Sequence, residues 1–237
     1  MLDLPPDYWP IIALSIKVSA VAVGAMLPIA FALAWILARW RFPGRMLLDA
    51  LVYLPLVVPP VVTGWLLLLL FGANGPIGSW LADWFGITLL FRWTGAALAA
   101  GIMAMPLMVR AIRLSIEAVD RRLEGAARTL GAGPLRVFLT ISLPLSLPGV
   151  LAGVILGFAR SIGEFGATIT FVSDIPGETR TLPIAIYAAL QAPGAEAVVT
   201  RLAIASILLS QTPLLLSEVL ARRMAAGVRS YRPLAAG

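Results

Sequence analysis

The chain contains no cysteine and no histidine. Disulfides, thiolate chemistry, Cys/His metal sites and histidine acid–base catalysis are therefore excluded. Of its 18 Lys and Arg residues only Lys17 is lysine, and it sits inside an apolar run. No Gly-rich loop ends in Gly-Lys-Ser/Thr, and a P-loop needs that lysine at the β/γ-phosphates. Any ATP hydrolysis tied to this chain therefore belongs to another polypeptide. Charge is scarce as well: 13% of the 237 residues are charged and 60% are hydrophobic, with a mean hydropathy of +0.94. Soluble domains carry about 25% charged residues, so the composition is that of a membrane protein.

What remains is arranged in apolar runs. Crossing a hydrocarbon core ~30 Å thick takes about 20 helical residues. The runs Ile11–Ala38, Met46–Phe71, Trp93–Val109, Leu145–Phe165 and Val198–Leu220 are read as spans. Leu182–Leu190 (LPIAIYAAL) is too short and reads as a re-entrant or interfacial helix. The expectation is an all-α polytopic membrane protein with about five transmembrane helices, one domain over residues 1–237. The opening "MLDLPPDYWP" has two aspartates and no basic residue before the apolar run. A cleavable signal starts with a positive segment, so this stretch reads as the outer end of the first span.

Arginine placement orients the spans. Arg39, Arg41 and Arg45 separate the first two; Arg110, Arg113, Arg121, Arg122, Arg128 and Arg136 separate the third and fourth; Arg222, Arg223, Arg229 and Arg232 follow the fifth. The opposite loops hold only Arg92 and Arg180. The positive-inside rule puts the arginine-rich side in the cytoplasm, the N-terminus outside and the C-terminus inside. The net charge of +6 is thus a topology signal, and a nucleic-acid partner is dropped.

Prolines recur within the spans at Pro28, Pro55, Pro59, Pro60, Pro106 and Pro213, each removing a backbone donor and favouring a kink. In the fourth span Gly149, Gly153, Gly157 and Ser161 recur every four residues, a small-residue ribbon suited to close helix packing. Arg160 and Glu164 continue that stretch and point into the bundle. Ionisable groups there are costly and mark functional sites. Arginine can grip an oxyanion bidentately; equally, an i, i+4 pair can neutralise itself. Arg160, Ser161, Glu164 and Thr168 are the candidate path residues. Lys17, near a span's outer end, can snorkel to the interface.

The segment at about residues 115–144 breaks the apolar pattern. Asp120 suits an N-cap, and Leu123, Ala126, Ala127 and Leu130 fall at i, i+3, i+4 and i+7 on one face. Arg121, Arg122, Glu124 and Arg128 fill the other. Gly131 and Gly133 suit a stop, and Pro134 a restart. So short a helix is unstable alone. A membrane-surface helix would favour bulky apolar residues; alanine and glycine favour close docking against another protein.

This segment resembles the cytoplasmic signature of ABC-importer membrane subunits: Glu-Ala-Ala, three residues, Gly, nine residues, then Ile-x-Leu-Pro. Here Ala126-Ala127, Gly131 and "ISLP" (Ile141–Pro144) keep the spacing, while the glutamate position holds Gly125 and Glu124 stands one place earlier. "FARSIGEFGATITFVSDIPGETRTLP" (Phe158–Pro183) and "YLPLVVPPVVTGWLLLLLFG" (Tyr53–Gly72) resemble permeases of the molybdate/sulfate group, molybdate permeases in particular. The resemblance implies a type I importer permease fold in a bacterial inner membrane, without cofactor, metal or catalytic residue of its own. It implies a second copy, two cytoplasmic ATP-binding subunits gripping the coupling residues Leu123, Glu124, Gly125, Ala126, Ala127, Leu130 and Gly131, and a periplasmic oxyanion-binding protein. Molybdate, tungstate and sulfate all fit such a path. A proton-coupled secondary transporter with Glu164 as proton carrier is the rival from another class, and leaves the docking helix unexplained. An intramembrane hydrolase lacks the usual bases.

Overall fold

The computed structural model describes residues 8–229, all helical where regular; Asp3, Asp7 and Arg232 lie outside them. The helices are α1 (Trp9–Arg39), α2 (Arg45–Val57), α3 (Pro60–Phe71), α4 (Pro76–Phe85), α5 (Trp93–Ala118), α6 (Arg121–Thr129) and α7 (Pro134–Val137). After a π turn, Phe138–Ser142, come α8 (Leu143–Ile162), α9 (Gly166–Val172), α10 (Leu182–Leu190) and α11 (Glu196–Arg229).

Helix α5 is the axis of the bundle. Alanine and glycine dominate its first half, so neighbours approach its backbone from several sides. Ala96, Ala99, Ala100, Met103, Ala104, Met108, Ile112 and Ile116 are all buried. Helix α1 packs along one flank, where a Cβ on Gly101 would stand 2.8 Å from Met26 Cγ and 3.2 Å from the Ala22 carbonyl. Helix α8 takes another flank through the predicted glycine ribbon. Gly149 faces Ser115 and the Ala111 carbonyl, Gly153 faces Ile112 and the Met108 carbonyl, and Gly157 faces Met108. All three glycines and Ser161 are buried. Dispersion contacts in the absence of Cβ atoms hold this seam, because lipid supplies no hydrophobic drive between helices.

Two predicted spans are not continuous helices. Met46–Phe71 is a bent pair, α2 and α3, turned by 115°. Pro59 drives Val58 out of helical geometry, to ψ 137°, and neither Pro59 nor Pro60 carries a backbone N–H. The fourth span starts earlier than Leu145 and stops at Ile162; Gly163, Glu164 and Phe165 are non-helical before α9 begins. The third run extends past Val109 to Ala118, so Arg110 and Arg113 lie on helix, with Arg113 bridging Asp49 of α2 at 2.6 Å and Glu117 at 2.9 Å. Among the described residues three helices are long and apolar enough to cross a membrane, and the bent pair adds a fourth. The fifth predicted span falls on α11, and most of its last side chains lie outside the described residues.

The two broken elements meet. A Cβ on Gly166 would stand 2.7 Å from Pro60 Cβ, and one on Gly64 2.5 Å from the Ala167 carbonyl. The start of α9 thus packs closely on the start of α3. Helix α10, too short to cross, packs on α1 and α11, and its Leu182 N–H donates to Ser15 Oγ at 2.8 Å.

A Gly149→Leu substitution is expected to destabilise the bundle by about 1–3 kcal/mol through overpacking. A lower melting temperature for the purified protein checks it. Gly24→Ala, whose Cβ would meet nothing within 4 Å, should leave the melting temperature unchanged or raised.

Candidate functional site

Helix α6 is built as its sequence directs. The Asp120 carboxylate accepts from the Arg122 N–H at 2.9 Å, the expected N-cap. At the other end Gly131 takes φ +84°, with Gly131 N–H on the Arg128 carbonyl at 3.0 Å and Ala132 N–H on the Ala127 carbonyl at 3.0 Å. Those two bonds make a Schellman stop. Pro134 then opens α7 at its first turn. The helix from Pro134 onward widens into the π turn, and the "ISLP" stretch runs through it. Pro144 has no N–H to give its i−4 carbonyl, and a wide turn is where a helix absorbs such a gap.

The predicted apolar face of α6 is largely bare. Leu123 is 50% and Leu130 89% exposed, Gly125, Ala126 and Gly131 are exposed, and Ala127 is half-buried. A nine-residue helix with its apolar side in the open is held by something other than its own packing. Glu124 supplies that hold. The sequence pattern groups it with the outward polar residues, but the structure turns it inward to the bundle. Its Oε1 meets Arg39 Nη2 at 2.6 Å and accepts from Ser142 Oγ at 2.7 Å, and its Oε2 meets Arg39 Nη1 at 3.3 Å. Arg39 ends α1 and Ser142 ends the π turn before α8, so one carboxylate ties α6 to two helices at once. Sequence reasoning missed Arg39 and Ser142 as partners, since both lie far from Glu124 in the chain.

The second cluster lies at the break after α8. Glu164 is 3% exposed. Its Oε2 pairs with Arg160 Nη1 at 2.6 Å, and its Oε1 accepts from the Ala167 N–H at 2.9 Å, satisfying an open donor of α9. The i, i+4 pairing forms although Glu164 stands past the helix end, because Gly163 and Glu164 continue the turn. Ser161 and Thr168 are both buried, and Ser161 Oγ has no hydrogen-bond partner. Arg160 keeps 27% of its side chain exposed. The structure thus brings the four candidate path residues together around one helix break.

Two separable roles for Glu164 give a test. Arg160→Met leaves a buried carboxylate unpaired and should cost up to about 3–5 kcal/mol, read as lost folded yield and melting temperature. Adding Glu164→Gln removes that charge while keeping an acceptor for the Ala167 N–H. The double variant should regain most of the loss; a double no better than Arg160→Met would refute the pairing as the stabilising element.

Residues 27–226 match the family described as the binding-protein-dependent transport system inner membrane component. The chain is 60% identical over 214 residues to the molybdenum transport system permease protein ModB of Escherichia coli K12, covering 90% of this chain and 93% of that protein. Haemophilus influenzae ModB is 56% identical, with 90% of this chain and 93% of that protein covered. The E. coli sulfate transport system permease CysT is 39% identical over 75% of this chain and 65% of its own length. Among solved structures, a bacterial alginate ABC transporter in complex with a pentasaccharide-bound periplasmic protein has a similar fold, with a TM-score of 0.73 at 17% identity, covering 94% of this chain and 81% of that one. The type I importer architecture expected from the signature is therefore the fold of this chain. The chain belongs to the family of binding-protein-dependent transport system inner membrane components.

Proposed function

We propose that this chain is the membrane-spanning subunit of an ATP-driven importer that carries molybdate into the cytoplasm. The observation that carries the reading is the 60% identity over nearly the whole of both chains to a molybdenum permease, against 39% over a shorter stretch for a sulfate permease. Two copies pair around the path, and two cytoplasmic ATP-binding subunits seat on the bare faces of the α6 helices. A periplasmic binding protein delivers the oxyanion to the outer side, with the N-terminus outside and the arginine-rich ends in the cytoplasm.

Movement of α6 reaches the bundle through Glu124, which pulls on the ends of α1 and α8 together. Both helices clamp α5, so the load enters the rigid centre. The breaks at Val58–Pro60 and Gly163–Phe165 are the points where the spans can bend without losing further hydrogen bonds. At the second break Arg160 is half-satisfied by Glu164 and half-open, which leaves its free donors for a passing oxyanion beside the unpartnered Ser161 hydroxyl and Thr168.

The test is uptake of radiolabelled molybdate into proteoliposomes holding this chain with its ATP-binding subunit and binding protein. The chain alone should turn over no ATP. Ala126→Trp, on the exposed face of α6, should lower both ATPase docking and uptake about tenfold or more, equivalent to ~1.4 kcal/mol of docking energy, with an unchanged melting temperature. Wild-type uptake by that variant would defeat the docking role of α6. Uptake of sulfate in preference to molybdate would overturn the substrate assignment.

A further inference from the structure

The arginine-rich end of the bundle holds a second feature beside the Glu124–Arg39 tether. A cavity of about 390 Å³ lies between α6, the end of α1 and α7, with Arg39, Arg121, Arg128, Trp35, Trp40 and Ser142 among its walls. Beside it runs an apolar groove of about 400 Å³ lined by Phe31, Ala32, Trp35, Ile36, Trp40 and Phe138. Trp35, Trp40 and Phe138 line both, so the two spaces lie side by side across one aromatic wall. The shared wall is stiff: Trp35 stacks on Phe31 at 6.2 Å and meets the edge of Phe138 at 5.0 Å between ring centroids.

The charges at the cavity do not cancel. Glu124 answers Arg39, but Arg121 and Arg128 pair with no carboxylate among the described residues. Arg39 Nε is also buried without an acceptor. A basic chamber beside an uncharged groove matches a molecule with an anionic head and a hydrocarbon tail. Tryptophan at the junction is the residue type that favours this depth in a bilayer, and basic pockets between helices at an interface hold anionic head groups.

We propose that this end of the chain binds one anionic phospholipid, its phosphate held by Arg121, Arg128 and Arg39 and one acyl chain lying against Phe31, Trp35 and Phe138. The bound lipid wedges between α6 and α1, next to the Glu124–Arg39 tether. A soluble anion would use the basic chamber and leave the apolar groove empty.

Quenching of tryptophan by brominated acyl chains tests this, using the full chain in phosphatidylcholine nanodiscs. Brominated phosphatidylglycerol should quench at a lower mole fraction than brominated phosphatidylcholine, and the difference should vanish in Trp35→Phe/Trp40→Phe. Each arginine near the surface is worth about fivefold, so Arg121→Gln/Arg128→Gln should weaken the phosphatidylglycerol preference roughly 25-fold. These residues are exposed, and an unchanged melting temperature confirms that the fold is kept. Equal quenching by both lipids, a phosphatidylglycerol preference that survives loss of the two tryptophans, or an unaltered preference in the arginine variant would each overturn the site. Displacement of the lipid by excess inorganic phosphate alone would assign the chamber to a free anion and refute the lipid.

Discussion

A buried carboxylate needs hydrogen-bond partners, and Glu164 has two. Arg160 balances its charge, and the Ala167 N–H takes its other oxygen. That double engagement supports the chain where the fourth span stops at Ile162 and a new helix starts at Gly166. An interrupted helix exposes donors and acceptors that lipid cannot satisfy. Glu164 meets one of those needs directly, and α3 packs against α9 beside it through Gly64 and Gly166. Were the break unsupported, α9 would have no reason to turn back onto α3.

A second carboxylate does the corresponding work at the arginine-rich end. Glu124 joins α6 to Arg39 and Ser142, so the helix with the least packing of its own is fastened to two of the best-packed elements. The two carboxylates bracket the α1–α5–α8 core. One links the core to the short external helix, the other to the broken helices within. Between them runs the seam of α8 glycines against α5, where the two backbones approach closely.

How much of this was legible in the sequence depends on the range of the interaction. Local signals translated directly: the Asp120 cap, the Gly131 stop, the Pro134 restart and the four-residue glycine period all appear where the chain placed them. Each is set by neighbours within one or two turns. Run lengths were less reliable, because hydropathy alone does not register a bend. Met46–Phe71 is apolar throughout, yet the paired prolines fold it by 115°. The Arg160–Glu164 pair was readable as one of two alternatives, since it spans four residues. The Arg39–Glu124 and Arg113–Asp49 pairs were not, because nothing in a single sequence joins positions 85 or 64 residues apart.

The displaced acid of the signature now has a physical meaning. One residue along an α-helix is a turn of about 100°, so moving glutamate from the position of Gly125 to Glu124 carries the carboxylate from one side of α6 to another. Gly125 is exposed, and a Cβ there would meet nothing within 4 Å. An acid at that position would face outward. At 124 it faces Arg39 and is spent on the chain's own tether. The outward side of α6 is thereby left with small and apolar residues flanked by the arginines Arg121, Arg122 and Arg128. For the docking proposed above, this surface offers close approach at Ala126 and Gly125 and positive charge around them. A partner suited to it presents a snug apolar cleft with an acidic rim.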